Sequence, residues 1–145
     1  MRVPFAFLLL VLSATPSLAD GWRYEAGSTQ SGRTLHVISD GAAIFVCGAG
    51  TPLTFGVEIS YDLSEISKTH PPAKVAWLVD DQVGEESMWA RRGLYVFADA
   101  PTSKEVALAA KKARAFVGIK TGNLTSVFDV QDLAKGLSKL EKACP

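Results

Sequence analysis

Phe128-Asp129-Val130-Gln131-Asp132-Leu133-Ala134-Lys135-Gly136-Leu137-Ser138-Lys139-Leu140-Glu141-Lys142-Ala143-Cys144 is the stretch from which the fold is best read, taken together with Cys47, the other of the two cysteines. Leu133, Leu137, Leu140 and Cys144 recur at helical spacing and form one apolar stripe, while Gln131, Lys135, Ser138 and Lys142 fall on the opposite side. Asp129 is placed as the N-cap and Asp132 in the first turn, where carboxylates meet the positive end of a helix. The stripe turns Cys144 toward the core. Gly136 costs about 1 kcal/mol relative to Ala inside a helix. It marks either a tolerated weakness or a close approach of the helix to a sheet.

A partner for Cys144 follows from compartment. Residues 1–19 carry one charge, Arg2, then an apolar run from Phe5 to Leu12, a helix-breaking Pro16 and the small residues of Ser17-Leu18-Ala19. That is the pattern of a cleavable secretory signal, with cleavage after Ala19. The run is shorter than the roughly 20 apolar residues that span a bilayer, so no membrane segment is expected after cleavage. Two cysteines in an exported chain favour one disulfide, Cys47–Cys144. Closing a loop of that length is worth about 4–5 kcal/mol in the chain-entropy model.

Residues 20–145 are expected to form a single disulfide-stapled, β-rich domain. The sequence holds 15 basic and 15 acidic side chains, and loss of Arg2 with the signal leaves 14 against 15. Such a balance argues against a nucleic-acid partner.

Alternation supplies the strands. Trp22 to Glu25 reads as a first short strand, and Arg33–Ser39 and Ala42–Cys47 flank the hairpin dipeptide Asp40-Gly41. Ala43, Phe45 and Cys47 share one face of the second arm, Leu35 and Val37 one face of the first. Leu53, Phe55, Val57 and Ile59 alternate with Thr54, Gly56, Glu58 and Ser60, as a half-buried antiparallel strand does. Tyr61 to Pro72 reads as a polar loop, and Val75, Trp77 and Val79 share a face of the strand Ala73–Val79. Arg91-Arg92-Gly93 reads as a turn into Leu94–Phe97. Thr102 and Glu105 stand in capping-box spacing at the head of a short helix from Ser103 to about Ala113. Ala115–Lys120 and Leu124–Phe128 form a last pair of strands around Thr121-Gly122-Asn123. The expected class is α+β: mainly an antiparallel sheet or sandwich, with a short helix and a C-terminal helix packed on it.

Catalytic motifs are absent from the sequence: no Gly-x-Ser-x-Gly, no His-Glu-x-x-His, no phosphate-binding glycine loop. His36 has no identifiable partner and reads as structural or surface, and His70 precedes two prolines as loop rigidity. Asp80, Asp81, Glu85 and Glu86 match no calcium loop and read as a solvated turn. No cofactor and no metal site is expected. Trp77, Asp80, Asp81, Trp89, Arg91, Arg92 and Tyr95 gather aromatic and charged side chains around turns, the residue types enriched at binding hot spots. Trp77 and Trp89 also have the simpler reading of core residues.

Trp22, Leu35, Phe45-Val46-Cys47, Val75-Ala76-Trp77-Leu78-Val79-Asp80, Trp89 and the spaced ending from Phe128 to Cys144 give the chain an order of features that resembles small exported bacterial proteins of the invasion-associated locus B type. It also resembles accessory periplasmic proteins found with type VI secretion systems. The resemblance implies a non-enzymatic, periplasmic or secreted accessory protein that contacts another envelope protein or a host protein. Two alternatives stay open on the residues: a proteinaceous inhibitor of a secreted hydrolase such as a lysozyme, with Lys68–Pro72 as the inserting loop, and a small hydrolase built on His36 or His70.

Overall fold

The computed structural model describes residues 21–59 and 72–145. The expected signal peptide and all but Pro72 of the polar loop, His70 included, lie outside the described residues. Strands β1 (Arg23–Ser28), β2 (Thr34–Asp40), β3 (Ala43–Gly48) and β4 (Thr51–Glu58) come first, then β5 (Ala73–Val79), β6 (Gln82–Val83), β7 (Ser87–Arg92) and β8 (Tyr95–Phe97). Helix α1 (Ala100–Ala110), the hairpin β9 (Phe116–Thr121) and β10 (Leu124–Asp129), and helix α2 (Leu133–Ala143) complete the chain. The strands make one sheet in the order β1-β2-β3-β4-β8-β7-β5-β9-β10, with β6 paired to β5, and every pairing is antiparallel. Of the two architectures expected, the single sheet is the one found, with both helices of the described residues packed on it.

Trp22 brings the two ends of that sheet together. Placed just before β1, it donates its backbone N–H to the Gln131 carbonyl at 3.0 Å and its indole Nε1–H to the Asp129 carbonyl at 2.7 Å. Since β1 and β10 are the outermost strands of the path, the sheet curls until its edges meet at this residue. Inside the curl an aromatic row runs from Trp22 to Phe45, Phe55 and Trp89, with successive centroids 5.8, 4.7 and 5.9 Å apart. Tilted and edge-on pairs of this kind add to the burial of large rings.

Helix α2 closes one part of this interior over β1, β2 and β3, and α1 another over β4 and β5. The leucine stripe behaves as expected, with Leu133, Leu137 and Leu140 buried. Gly136 is there for close approach: a Cβ at this position would lie 3.1 Å from Ile38 Cγ2. Cys144 is joined to Cys47 with Cα atoms 6.3 Å apart, so the disulfide ties the end of α2 to β3 across 97 residues of chain.

Several local expectations are corrected. α2 starts at Leu133; Asp129 ends β10, and Asp132, in a left-handed conformation with φ 64°, makes no side-chain cap. Sheet pairing with Phe116 and the bonds to Trp22 hold this chain extended until it clears the edge. α1 starts at Ala100, capped by the Asp99 carboxylate, which accepts from the Thr102 N–H at 2.9 Å. The first hairpin turns on Gly41-Ala42, because Asp40 pairs with Ala43. In that register Ile38 lies opposite Phe45 and His36 opposite Cys47; Leu35 and Val37 share one face, as expected, and it is the face away from Phe45 and Cys47. Gly27 and Ser28 are strand residues. So are Arg91 and Arg92, and Gly93, with φ 62°, leads the turn that follows them.

Ser103 is a tie that residue patterns did not announce. β4 pairs with β8 only over Gly56–Glu58, so the Phe55 N–H needs another acceptor. The fully buried Ser103 Oγ provides it at 2.9 Å and itself donates to the Ala98 carbonyl at 3.3 Å. Ser103→Ala leaves a buried N–H without an acceptor and is expected to lower unfolding stability by about 1–3 kcal/mol in urea denaturation; an unchanged midpoint would contradict this role.

Candidate functional site

Side chains alternate across a strand, and the sheet therefore divides the residues gathered by sequence. Trp77 and Trp89 are buried toward the helices. Arg91, two residues from Trp89, projects from the same face, as the registers of β5 and β7 require. The Trp89 indole donates to Ser87 Oγ at 3.1 Å. Trp77 packs against Gly84, just past β6, where a Cβ would run into its indole Nε1. Both tryptophans follow the simpler reading as core.

Asp80 has a structural task. At φ 53° in the turn after β5, its carboxylate accepts from the backbone N–H groups of Arg114, Ala115 and Phe116 at 2.9, 2.8 and 3.1 Å. The three donors hold its pKa below the ordinary value, with the Arg114 guanidinium adding to them. Asp80 thus fastens the segment between α1 and β9 to the end of β5. Asp81, beside it, is exposed at the turn.

Arg92 and Tyr95 face the opposite way. They pair across β7 and β8, with Ala90 opposite Phe97, and Met88 continues this outer row on β7. Phe97 stacks on Tyr95 at 5.6 Å and 16°. Its ring lies over Gly56, where a Cβ would come within 2.5 Å of it; the missing side chain on β4 is what lets the ring lie flat on the sheet. Burial, then the neighbouring Glu58 carboxylate, raises the Tyr95 pKa, so its hydroxyl stays protonated at neutral pH. Val37, Val46 and Thr54 extend the same face across β2, β3 and β4.

A groove of about 590 Å³ runs over this surface, lined among others by Leu35, Val46, Thr54, Met88, Arg92 and Phe97. Met88 is 55% exposed. The groove has an apolar floor and a guanidinium at its side, a combination suited to holding a polypeptide segment. Of the seven expected residues, only Arg92 and Tyr95 stand on this face. Phe97, Met88, Leu35 and Val46 were missed, although Leu35 and Val37 opposite Ile38, and Val46 opposite Phe45 and Cys47, showed that β2 and β3 are apolar on both faces.

The other large cleft, about 670 Å³, lies at the disulfide end between α1, α2 and the β2–β4 loops, with His36, Lys104 and Lys111 in its wall. Its polar groups already have partners in part: His36 Nδ1 is 2.7 Å from the Tyr24 hydroxyl, and Lys111 bridges to Glu141 at 2.8 Å. Among the described residues no three His, Cys, Asp or Glu side chains come together as a metal site, and no helix is long and apolar enough to cross a membrane. Comparison with protein-family models, with curated proteins and with solved structures returns no match.

Asp80 provides a test of the electrostatic assignment. A carboxyl whose folded pKa lies below its ordinary 3.8 stabilises the fold above that value, and the contribution is lost as pH falls through the folded pKa. Asp80→Asn should therefore be less stable than the wild type at neutral pH, with the two urea midpoints converging as pH is lowered past 3.8 and through the folded pKa. Curves that stay parallel across this range would remove the assignment.

Proposed function

We propose that this is an exported, non-enzymatic accessory or binding protein, periplasmic or secreted, that acts in envelope or host interaction by holding a protein partner against the outer face of its sheet. The observation that carries the proposal is the groove over Leu35, Val46, Met88 and Phe97 with Arg92 beside it, Tyr95 stacking on Phe97 from the same face. The helices pack on the other face, so this apolar surface takes no part in the core. The Cys47–Cys144 disulfide supports an oxidising compartment, in keeping with the role that the resemblance to invasion-associated locus B-type proteins implies.

The test is capture of partners from envelope extract and from host-cell lysate by the wild type and by a Met88→Asp/Arg92→Glu variant. Both positions are exposed, so the variant should fold. A partner that uses this face is expected to bind the variant at least about tenfold more weakly. Val83→Asp, at a 67% exposed site on β6, should bind as the wild type does. Equal capture by all three proteins would refute the site.

A further inference from the structure

The curled sheet has two long edges, and they are built differently. β1 alternates charge along its length with Arg23 and Glu25, the device that keeps an edge from pairing with another chain. β10 reads Leu124-Thr125-Ser126-Val127-Phe128 before Asp129, with no charge, proline or bulge in those five residues. Leu124 is 40% and Val127 52% exposed, one on each face of the strand.

Backbone direction follows from the hairpin. Thr121 and Leu124 flank a two-residue turn, so Leu124, Ser126 and Phe128 exchange hydrogen bonds with β9. Thr125, Val127 and Asp129 then direct their N–H and C=O groups away from β9. The Asp129 carbonyl obeys this rule, since it is the acceptor of the Trp22 indole. Thr125 and Val127 are left with outward backbone groups that no described residue pairs.

We infer that this edge docks a second copy of the same chain, β10 against β10 antiparallel, with Ser126 on the two-fold axis. That register sets Thr125 opposite the second copy's Val127, so both copies use their outward donors and acceptors. Leu124 falls opposite Phe128 on the inner face, and Asn123 opposite Asp129. No like charges meet, and the contact is isologous, as a closed dimer requires. The area of one strand edge is small, so association is weak and concentration-dependent. This contact uses a different surface from the groove and stands or falls separately from it.

Cysteine cross-linking reads the register. Ser126 would form a non-hydrogen-bonded pair with itself, with Cα atoms about 4.5 Å apart, within disulfide reach. Under mild oxidation Ser126→Cys in the full chain is expected to give a covalent dimer of doubled mass, with the substituted peptide linked to itself. Leu124→Cys is expected to stay uncrosslinked, because the two copies of that position are offset by four residues, roughly 13 Å. Sedimentation of the wild type should show a dimer fraction rising with concentration, and Val127→Lys, which keeps the fold because the site is exposed, should lose it. A wild type monomeric up to its solubility limit, or equal cross-linking by both cysteine variants, would overturn the inference.

Discussion

Trp22 closes the sheet, and the rest of the molecule depends on that closure. Left open, the ten antiparallel strands of the described residues would present two broad faces that the two described helices are too short to cover. With its backbone and indole bonded to Gln131 and Asp129, Trp22 wraps the sheet until one face becomes an interior that two short helices can fill. The aromatic row through Phe45, Phe55 and Trp89 starts from this residue. The same side chain therefore sets the curvature and anchors the core.

Closure assigns the remaining parts their tasks. α2 packs against β2 at the distance Gly136 permits, and the disulfide keeps it there by restricting the unfolded chain, a contribution of about 4–5 kcal/mol for a loop near 100 residues. α1 is tied to β4 through Ser103, and the segment leaving it is fastened by Asp80. These ties all lie on the inner face or at its rim. The outer face keeps apolar side chains that the core does not need, the physical basis for reading it as a contact surface.

Much of the architecture was legible in the sequence. The leucine stripe of α2, the pairing of Cys47 with Cys144 and the strand Ala73–Val79 follow from periodicity and compartment, whereas Gly136 left a tolerated weakness and a close approach both open, and the nearness of Ile38 decides for the approach. The hairpin turn was misplaced by one residue. Asp40-Gly41 is a strong hairpin signal, yet Asp40 is still paired, with Ala43. The faces are unaffected by this, because the pairs move by two residues: Leu35 and Val37 share one face, as alternation implied, opposite to that of Phe45 and Cys47. The start of α2 was misplaced because tertiary bonds to Trp22 keep the chain extended past Asp129, and that of α1 because the local cap is Asp99, three residues ahead of Thr102, rather than Thr102 itself.

The candidate site was harder to read because it comes from strands far apart in sequence. Arg92 and Tyr95 drew notice as residue types, whereas Phe97 matters through its stacking on Tyr95 and the space above Gly56, neither of which a linear pattern shows. Trp77, Trp89 and Asp80 drew the same notice and serve the interior.

The central claim is that the outer face of the sheet is open while the inner face is sealed, and Met88 reports on it directly. It is the one methionine besides Met1 and stands on the outer face next in sequence to the buried Trp89. Mild peroxide treatment of the native protein, followed by peptide mass spectrometry, should oxidise Met88 at a rate close to that of the unfolded chain, with Trp89 unmodified. Protection of Met88 to the level of a core residue would contradict the account.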